Sequence, residues 1–217
     1  MDIEQARSNM INQQIRACDI RNETVLSTLS KVPREDFVSP EYRYLAFADS
    51  AIPLAHNQVM MTPNDEGRLL QALDIKPTDH VLEIGTGSGY LTALLAKLSE
   101  HVYSIDIFPD FTEQAYKKLN KHGIHNVSLI TADASHGYGE KAPYNVIVLT
   151  GSLPILPIQF RHHLAVGGCL FAILGNSPIM EATLIKRQSS DQWSEDILFE
   201  TDVPSLLNVI QPEQFTF

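Results

Sequence analysis

The sequence predicts an α/β fold: a doubly wound, mostly parallel sheet with an N-terminal helical extension. Three observations carry this expectation. Between residues 80 and 174, short runs rich in Val, Ile and Leu alternate with helical patterns, as in successive βα units. Within 80-HVLEIGTGSGYLTALLAK-97 an apolar strand runs into three glycines and out into a helix, the place where backbone free of side chains lets a ligand come close. Glu83, Asp106 and Asp133 stand near the carboxyl ends of the predicted strands, where ligands bind in this architecture.

Each element follows in order. Residues 3 to 17 set Ile3, Met10, Ile11 and Ile15 roughly on one helical face, and a second short helix carries Val25, Leu26 and Leu29 until Pro33 stops it. Pro33, Pro40, Pro53 and Pro63 then offer turns rather than long elements, which predicts an ordered covering loop. A helix through about Leu73 opens at Thr62 as N-cap, with Pro63 in its first turn and Asp65 and Glu66 complementing its dipole. The alternation proper reads as strand 80–85, helix 88–98, strand 101–106, helix 110–121, strand 127–131, strand 144–149, helix 157–164 and strand 168–174. Tyr90 and Leu91 are read as helix packing. Gly175 and Pro178 break the last strand, and strands around 182–187 and 195–203 are expected to add an antiparallel edge. The whole of 1–217 reads as one domain: helices and covering loop over 1–62, a cofactor-binding core over 63–180, and C-terminal strands over 181–217.

Composition limits the partners. With 26 acids against 16 bases, the formal charge is −10. That balance argues against nucleic acid or an acidic membrane surface, whose affinity comes from cationic side chains that displace counterions. No stretch approaches the roughly 18 consecutive apolar residues of a membrane span, and the N-terminus MDIEQARSNM lacks the apolar core of a secretory signal. Cys18 and Cys169 show no metal-ligand spacing and fit free thiols, so the expected compartment is the cytoplasm. No metal site is expected either: His122 and His125 straddle a glycine, and His162-His163 point in different directions on a helix.

The glycine turn narrows the ligand. Gly85, Gly87 and Gly89 form GxGxG, without the Lys-Ser/Thr of a phosphate-binding loop and with Tyr90 where a dinucleotide fingerprint has glycine. Thr86 and Tyr90 likewise break a GxSxG nucleophile elbow around Ser88. A carboxylate at Asp106 can accept both hydroxyls of a ribose, and negative charge nearby favours a cationic ligand over a diphosphate. S-adenosyl-L-methionine, with its ribose, adenine, ammonium and sulfonium, fits better.

With these residues in place, the sequence resembles the protein-L-isoaspartate O-methyltransferase family over most of its length. VLEIGTGSGY and 104-SID-106 match the family's cofactor motifs, and Arg7, Met10, Gln14-Ile15, Val25-Leu26, 32-VPREDFV-38, 46-AFAD-49 and Pro53-Leu54 match its helical preface. The resemblance implies a Rossmann-like S-adenosylmethionine-dependent methyltransferase fold, with the preface and loop covering the pocket of a peptide or protein acceptor. It also implies that Gly85, Gly87 and Gly89 face the methionine part of the cofactor, Asp106 the ribose and Asp133-Ala134 the adenine, with Glu83, Thr86 and Ile107 also among the cofactor-binding residues. The implied reaction is methyl transfer to an isoaspartyl carboxylate in damaged protein.

The acceptor loop departs from the family pattern. Where members carry a loop like GQTIS-x-P, this chain reads 57-NQVMMTP-63, placing Val59 and Met61 at the Thr and Ser positions. A thioether donates no hydrogen bond. Thr62, whose simpler role is the helix cap, and His56 in the covering loop are the catalytic candidates. A paralogue methylating another acceptor, or a cofactor-binding protein without transferase activity, remains the alternative, and the oligomeric state stays open.

Overall fold

In the computed structural model, which describes residues 2–212, the chain begins with helix α1, Ile3–Asn9, capped by the Asp2 side chain, which accepts from the Glu4 and Gln5 amides. The helix continues through a π-helical segment, Met10–Ile15, and a 3-10 turn, Arg16–Cys18. Met10, Ile11 and Ile15 are buried as their spacing suggests, whereas Ile3 is exposed and takes no part in the core. Helix α2, Glu23–Lys31, is capped by Asn22 and buries Val25, Leu26 and Leu29. The covering segment consists of short 3-10 turns and a small hairpin of β1, Ile52–Pro53, and β2, Val59–Met60. Helix α3, Pro63–Leu73, starts as its sequence predicts: the Thr62 hydroxyl accepts from the Asp65 amide at 3.1 Å.

The alternating region folds as β3 (His80–Ile84), α4 (Tyr90–Leu98), β4 (His101–Asp106), α5 (Pro109–Lys121), β5 (Val127–Thr131), β6 (Tyr144–Leu153), α6 (Ile158–His163) and β7 (Leu164–Asn176). Strands β8 (Ile179–Arg187) and β9 (Trp193–Thr201) complete one sheet of order β5-β4-β3-β6-β7-β8-β9. The ladders from β5 through β7 are parallel, and β8 and β9 join antiparallel. This is the α/β Rossmann-like arrangement with the expected antiparallel edge. The strand period of two distributes the core over both faces. Val81, Val146 and Val148 pack with α3, α4 and the N-terminal helices, while Leu82, Ile147 and Leu149 pack with Phe160 of α6.

Several boundaries differ from the sequence reading: β6 runs on to Leu153, β7 passes through Gly175 to Asn176 because Gly175 pairs with Met180, and β8 and β9 start at Ile179 and Trp193. Leu164, expected to end a helix, begins β7 by pairing with Tyr144, and the ladder then slips before resuming at Cys169. Gly167 adopts a φ of +84°, and a Cβ on Gly168 would lie 2.7 Å from the Asn145 carbonyl, so this glycine pair forms an irregularity inside the strand rather than a break before it. The last expected strand ends at Thr201. Residue 1 and residues 213–217, included in the expected domain limits, lie outside the described residues. Among the described residues, no helix is long and apolar enough to cross a membrane.

Candidate cofactor and acceptor cleft

The chain leaves β3 toward β4 and β5 on one side and later returns to β6 on the other. Strand order therefore reverses at β3, which opens a crevice at the carboxyl ends of the strands. The turn 85–89 lies there. Gly85, Gly87 and Gly89 all have positive φ, and a Cβ on Gly85 would meet the Thr150 hydroxyl at 2.1 Å. That hydroxyl donates to the Ile84 and Gly85 carbonyls, pinning the turn to β6. The turn thus needs glycine for conformation and for space.

Asp106 ends β4 against the same turn. Its Oδ2 accepts the Gly87 amide at 2.9 Å and its Oδ1 the Phe108 amide at 3.0 Å. Burial raises its carboxyl above the ordinary range, while these amides pull it back. Each oxygen retains a free lone pair, which is what a vicinal diol requires. Asp133, beyond β5, accepts from the Ser135 amide and from Asn208 Nδ2 at 2.7 Å. Slight burial pulls its carboxyl upward, but these donors and His136 hold it below the usual range.

A cleft of about 900 Å³, counting the space at its open mouth, joins these residues. Of the site residues named from the sequence, Gly85, Thr86, Gly87, Asp106, Ile107, Asp133 and Ala134 line it. The β1–β2 hairpin closes one side with Leu54, Gln58, Met60 and Met61, and the C-terminal segment closes another with Leu206 and Leu207. Backbone bonds between Ser152 and both Pro204 and Leu206 fix that second wall.

Four expected site residues lie elsewhere. Glu83 occupies the α4 side of β3, because alternation along the strand turns it opposite to Leu82 and Ile84; its Oε2 accepts from Thr92 at 2.6 Å and Ser104 at 2.5 Å. Burial lifts its carboxyl to about 8. Gly89 packs against α5, where a Cβ would stand 2.9 Å from that of Ala115. Thr62 is engaged as the α3 cap. His56 stands outside the cleft, stacked on Phe108 and bonded to Asp110.

The structure adds residues that sequence reading did not place in the site. Glu66, read as a dipole-complementing acid, is 1% exposed, lines the cleft and pairs with the wholly buried Arg34. Burial raises the Glu66 carboxyl, against the opposing pull of Arg34. Arg34 also donates to the Met61 carbonyl at 2.5 Å. Phe108, Ser135 and Thr150 line the cleft as well. Their signal lay in position, each falling just beyond a strand end or on the strand opposite the glycine turn.

Comparison with known proteins agrees with this geometry. The model of the family "Protein-L-isoaspartate(D-aspartate) O-methyltransferase (PCMT)" matches residues 5–203. A protein-L-isoaspartate O-methyltransferase of Protochlamydia amoebophila is 39% identical over 185 residues, covering 85% of this chain and 88% of that protein. Its counterpart in Koribacter versatilis is 36% identical, covering 84% and 82%. Among solved structures, a protein-L-isoaspartate O-methyltransferase superposes with a TM-score of 0.81 at 20% identity, covering 92% of this chain but 65% of that one, slightly under two thirds. A structure from Plasmodium falciparum assigned to the same enzyme class, in complex with S-adenosyl-L-homocysteine, gives 0.78 at 19% identity, covering 95% and 98%. The solved structures support the fold, and with the match over residues 5–203 the conclusion is direct: the chain belongs to the protein-L-isoaspartate(D-aspartate) O-methyltransferase family.

Proposed function

We propose that the protein is an S-adenosylmethionine-dependent methyltransferase that acts on isoaspartyl residues in proteins. In a chain of this family, one observation carries the reading: the glycine turn and two strand-end carboxyls, Asp106 and Asp133, line a single cleft at the sheet's reversal point.

The donor set fits the cofactor. Asp106 offers two oxygens with free lone pairs to the ribose, Gly85 and Gly87 admit close approach of the amino-acid arm, and Asp133-Ala134 border the adenine end. When bound, S-adenosylmethionine supplies a methyl group already activated on a sulfonium. The chain must then align the acceptor and exclude water. Leu54, Met60 and Met61 form an apolar wall suited to exclusion. An isoaspartyl carboxylate is ionised at neutral pH and needs no base, consistent with His56 and Thr62 both being occupied outside the cleft.

The test supplies labelled cofactor with an isoaspartyl peptide and its normal aspartyl counterpart. Base-labile label on the isoaspartyl peptide alone is the expected result. Label on neither, despite cofactor binding, overturns the acceptor assignment.

A further inference from the structure

Three carboxyl side chains line the cleft, Asp106, Asp133 and Glu66, and the reading above uses two. Glu66 comes from the first turn of α3, and burial of such an acid is costly without a partner. Arg34 supplies one: it contacts Glu66 Oε2 and donates through its other arm to the Met61 carbonyl. Arg34 itself does not line the cleft, nor does any Lys or other Arg among the described residues. The group presented to a ligand is therefore the acid, held from behind by the guanidinium.

The order of the other subsites gives this acid a counterpart. Adenine at Asp133 and ribose at Asp106 set two parts of the cofactor over β5 and β4. The amino-acid arm then extends over the glycine turn, toward the wall formed by α3 and residues 58–61. Its ammonium is a cation with several hydrogens to donate. We propose that Glu66 binds this α-ammonium as a cofactor-specificity residue, with Arg34 as the positioning residue that fixes its carboxyl.

The surroundings favour a cation there. Glu66 is packed within electrostatic reach of Arg34, of Asp65 on its own helix, of Glu83 from β3 and of Tyr90 from α4. With no Lys or Arg among the described residues lining the cleft, an arriving ammonium meets the Glu66 carboxyl, whereas an arriving anion meets no countercharge. This inference rests on the S-adenosylmethionine reading, and its test separates the two.

Calorimetry on the whole protein compares S-adenosylhomocysteine, its deaminated analogue and 5′-methylthioadenosine, for the wild type and for Glu66→Gln. The amide keeps size and an oxygen for Arg34 while removing the charge. A charge-assisted bond lost corresponds to roughly tenfold weaker binding of S-adenosylhomocysteine. Binding of the deaminated analogue and of methylthioadenosine should stay within about twofold of the wild type, because neither carries the amine. If the Gln variant does not fold, Glu66→Asp is measured in the same way and should show a reduced preference for the amine. An unchanged preference, or equal weakening of all three ligands, overturns the role of Glu66. Failure of the wild type to bind either adenosine compound overturns the cofactor reading itself.

Discussion

His56 lies flat on Phe108, the two rings 5° from parallel with centroids 3.9 Å apart. Its Nε2 also reaches both carboxylate oxygens of Asp110, at 3.0 and 3.1 Å. Phe108 lines the cleft, as do Leu54 and Gln58 on either side of the His56 turn. The ring therefore clasps the covering loop to the start of α5 instead of meeting an acceptor. A base role would make His56→Ala collapse kcat. Clasping gives another outcome: kcat within about twofold, and release of S-adenosylhomocysteine up to about fivefold faster, the scale of one exposed pair. Stopped-flow release and steady-state kinetics on the same variant distinguish the two.

Glu83 gives the interior a pH dependence. Its folded-state value of about 8 lies above the 4.5 of an unburied glutamate, because burial outweighs the Thr92 and Ser104 hydroxyls. The native state then keeps a proton that the unfolded chain has released. Its contribution to stability is fully present below about pH 4.5 and is lost as pH rises through about 8, at up to about 1.4 kcal/mol per pH unit. Glu83→Gln removes this loss. Denaturant unfolding at a series of pH values should show the variant gaining on the wild type from pH 5 to pH 8; a constant difference would mean that Glu83 is ionised in the fold.

Gly85 is held by two separate constraints, a φ of +97° and the Thr150 hydroxyl at 2.1 Å from a Cβ. Gly85→Ala should cost on the order of 2 kcal/mol or more from backbone strain and collision together. Thr150→Ala in the same chain removes the collision and leaves the strain. The double variant should therefore recover part of the stability and little of the cofactor affinity. Thermal unfolding and calorimetry read the two quantities separately.

These examples indicate which features local sequence pattern could reveal. The turn at Gly85 was legible because an apolar strand, three glycines and a helix are contiguous, and Asp106 because it ends the next apolar run. Thr62 was legible because a cap bonds within its own helix, to the Asp65 amide. The partners of Glu66 and Glu83 were not. Glu66 meets Arg34 across 32 positions, and Glu83 meets Ser104 across 21, so no window of sequence separates these acids from helix-dipole or ligand-binding ones. The start of β7 was misplaced for a related reason: the pairing of Leu164 with Tyr144 carries the strand through Gly167 and Gly168 from a residue read as the end of a helix.

Arg34 tests how the preface supports the cleft. It is 0% exposed, stacks its guanidinium 4.8 Å from the centre of the Tyr90 ring and pairs with Glu66. Removing one member of a buried pair commonly costs about 3–5 kcal/mol, whereas replacing both by apolar groups of similar volume is often tolerated. Arg34→Met should therefore lower the melting temperature by on the order of 10 °C. Adding Glu66→Met should recover most of that loss while leaving cofactor affinity impaired. Failure of the second change to restore stability would place the energy in Arg34's other contacts, at Met61 and Tyr90.

Val59 and Met61 both line the cleft, where a carboxylate acceptor gains from hydroxyl donors that neither side chain can provide. Met61 has its carbonyl fixed by Arg34, so its side chain can change without releasing the loop. Val59→Thr combined with Met61→Ser should raise transfer to an isoaspartyl peptide by roughly tenfold, the equivalent of one restored hydrogen bond to a charged group. Affinity for S-adenosylhomocysteine should shift by less than about twofold, since Asp106, Asp133 and the glycine turn are untouched. The comparison is kcat/KM for the isoaspartyl peptide beside calorimetry of the cofactor product. Unchanged transfer with unchanged cofactor binding would show that the acceptor carboxylate is held by groups other than residues 59 and 61.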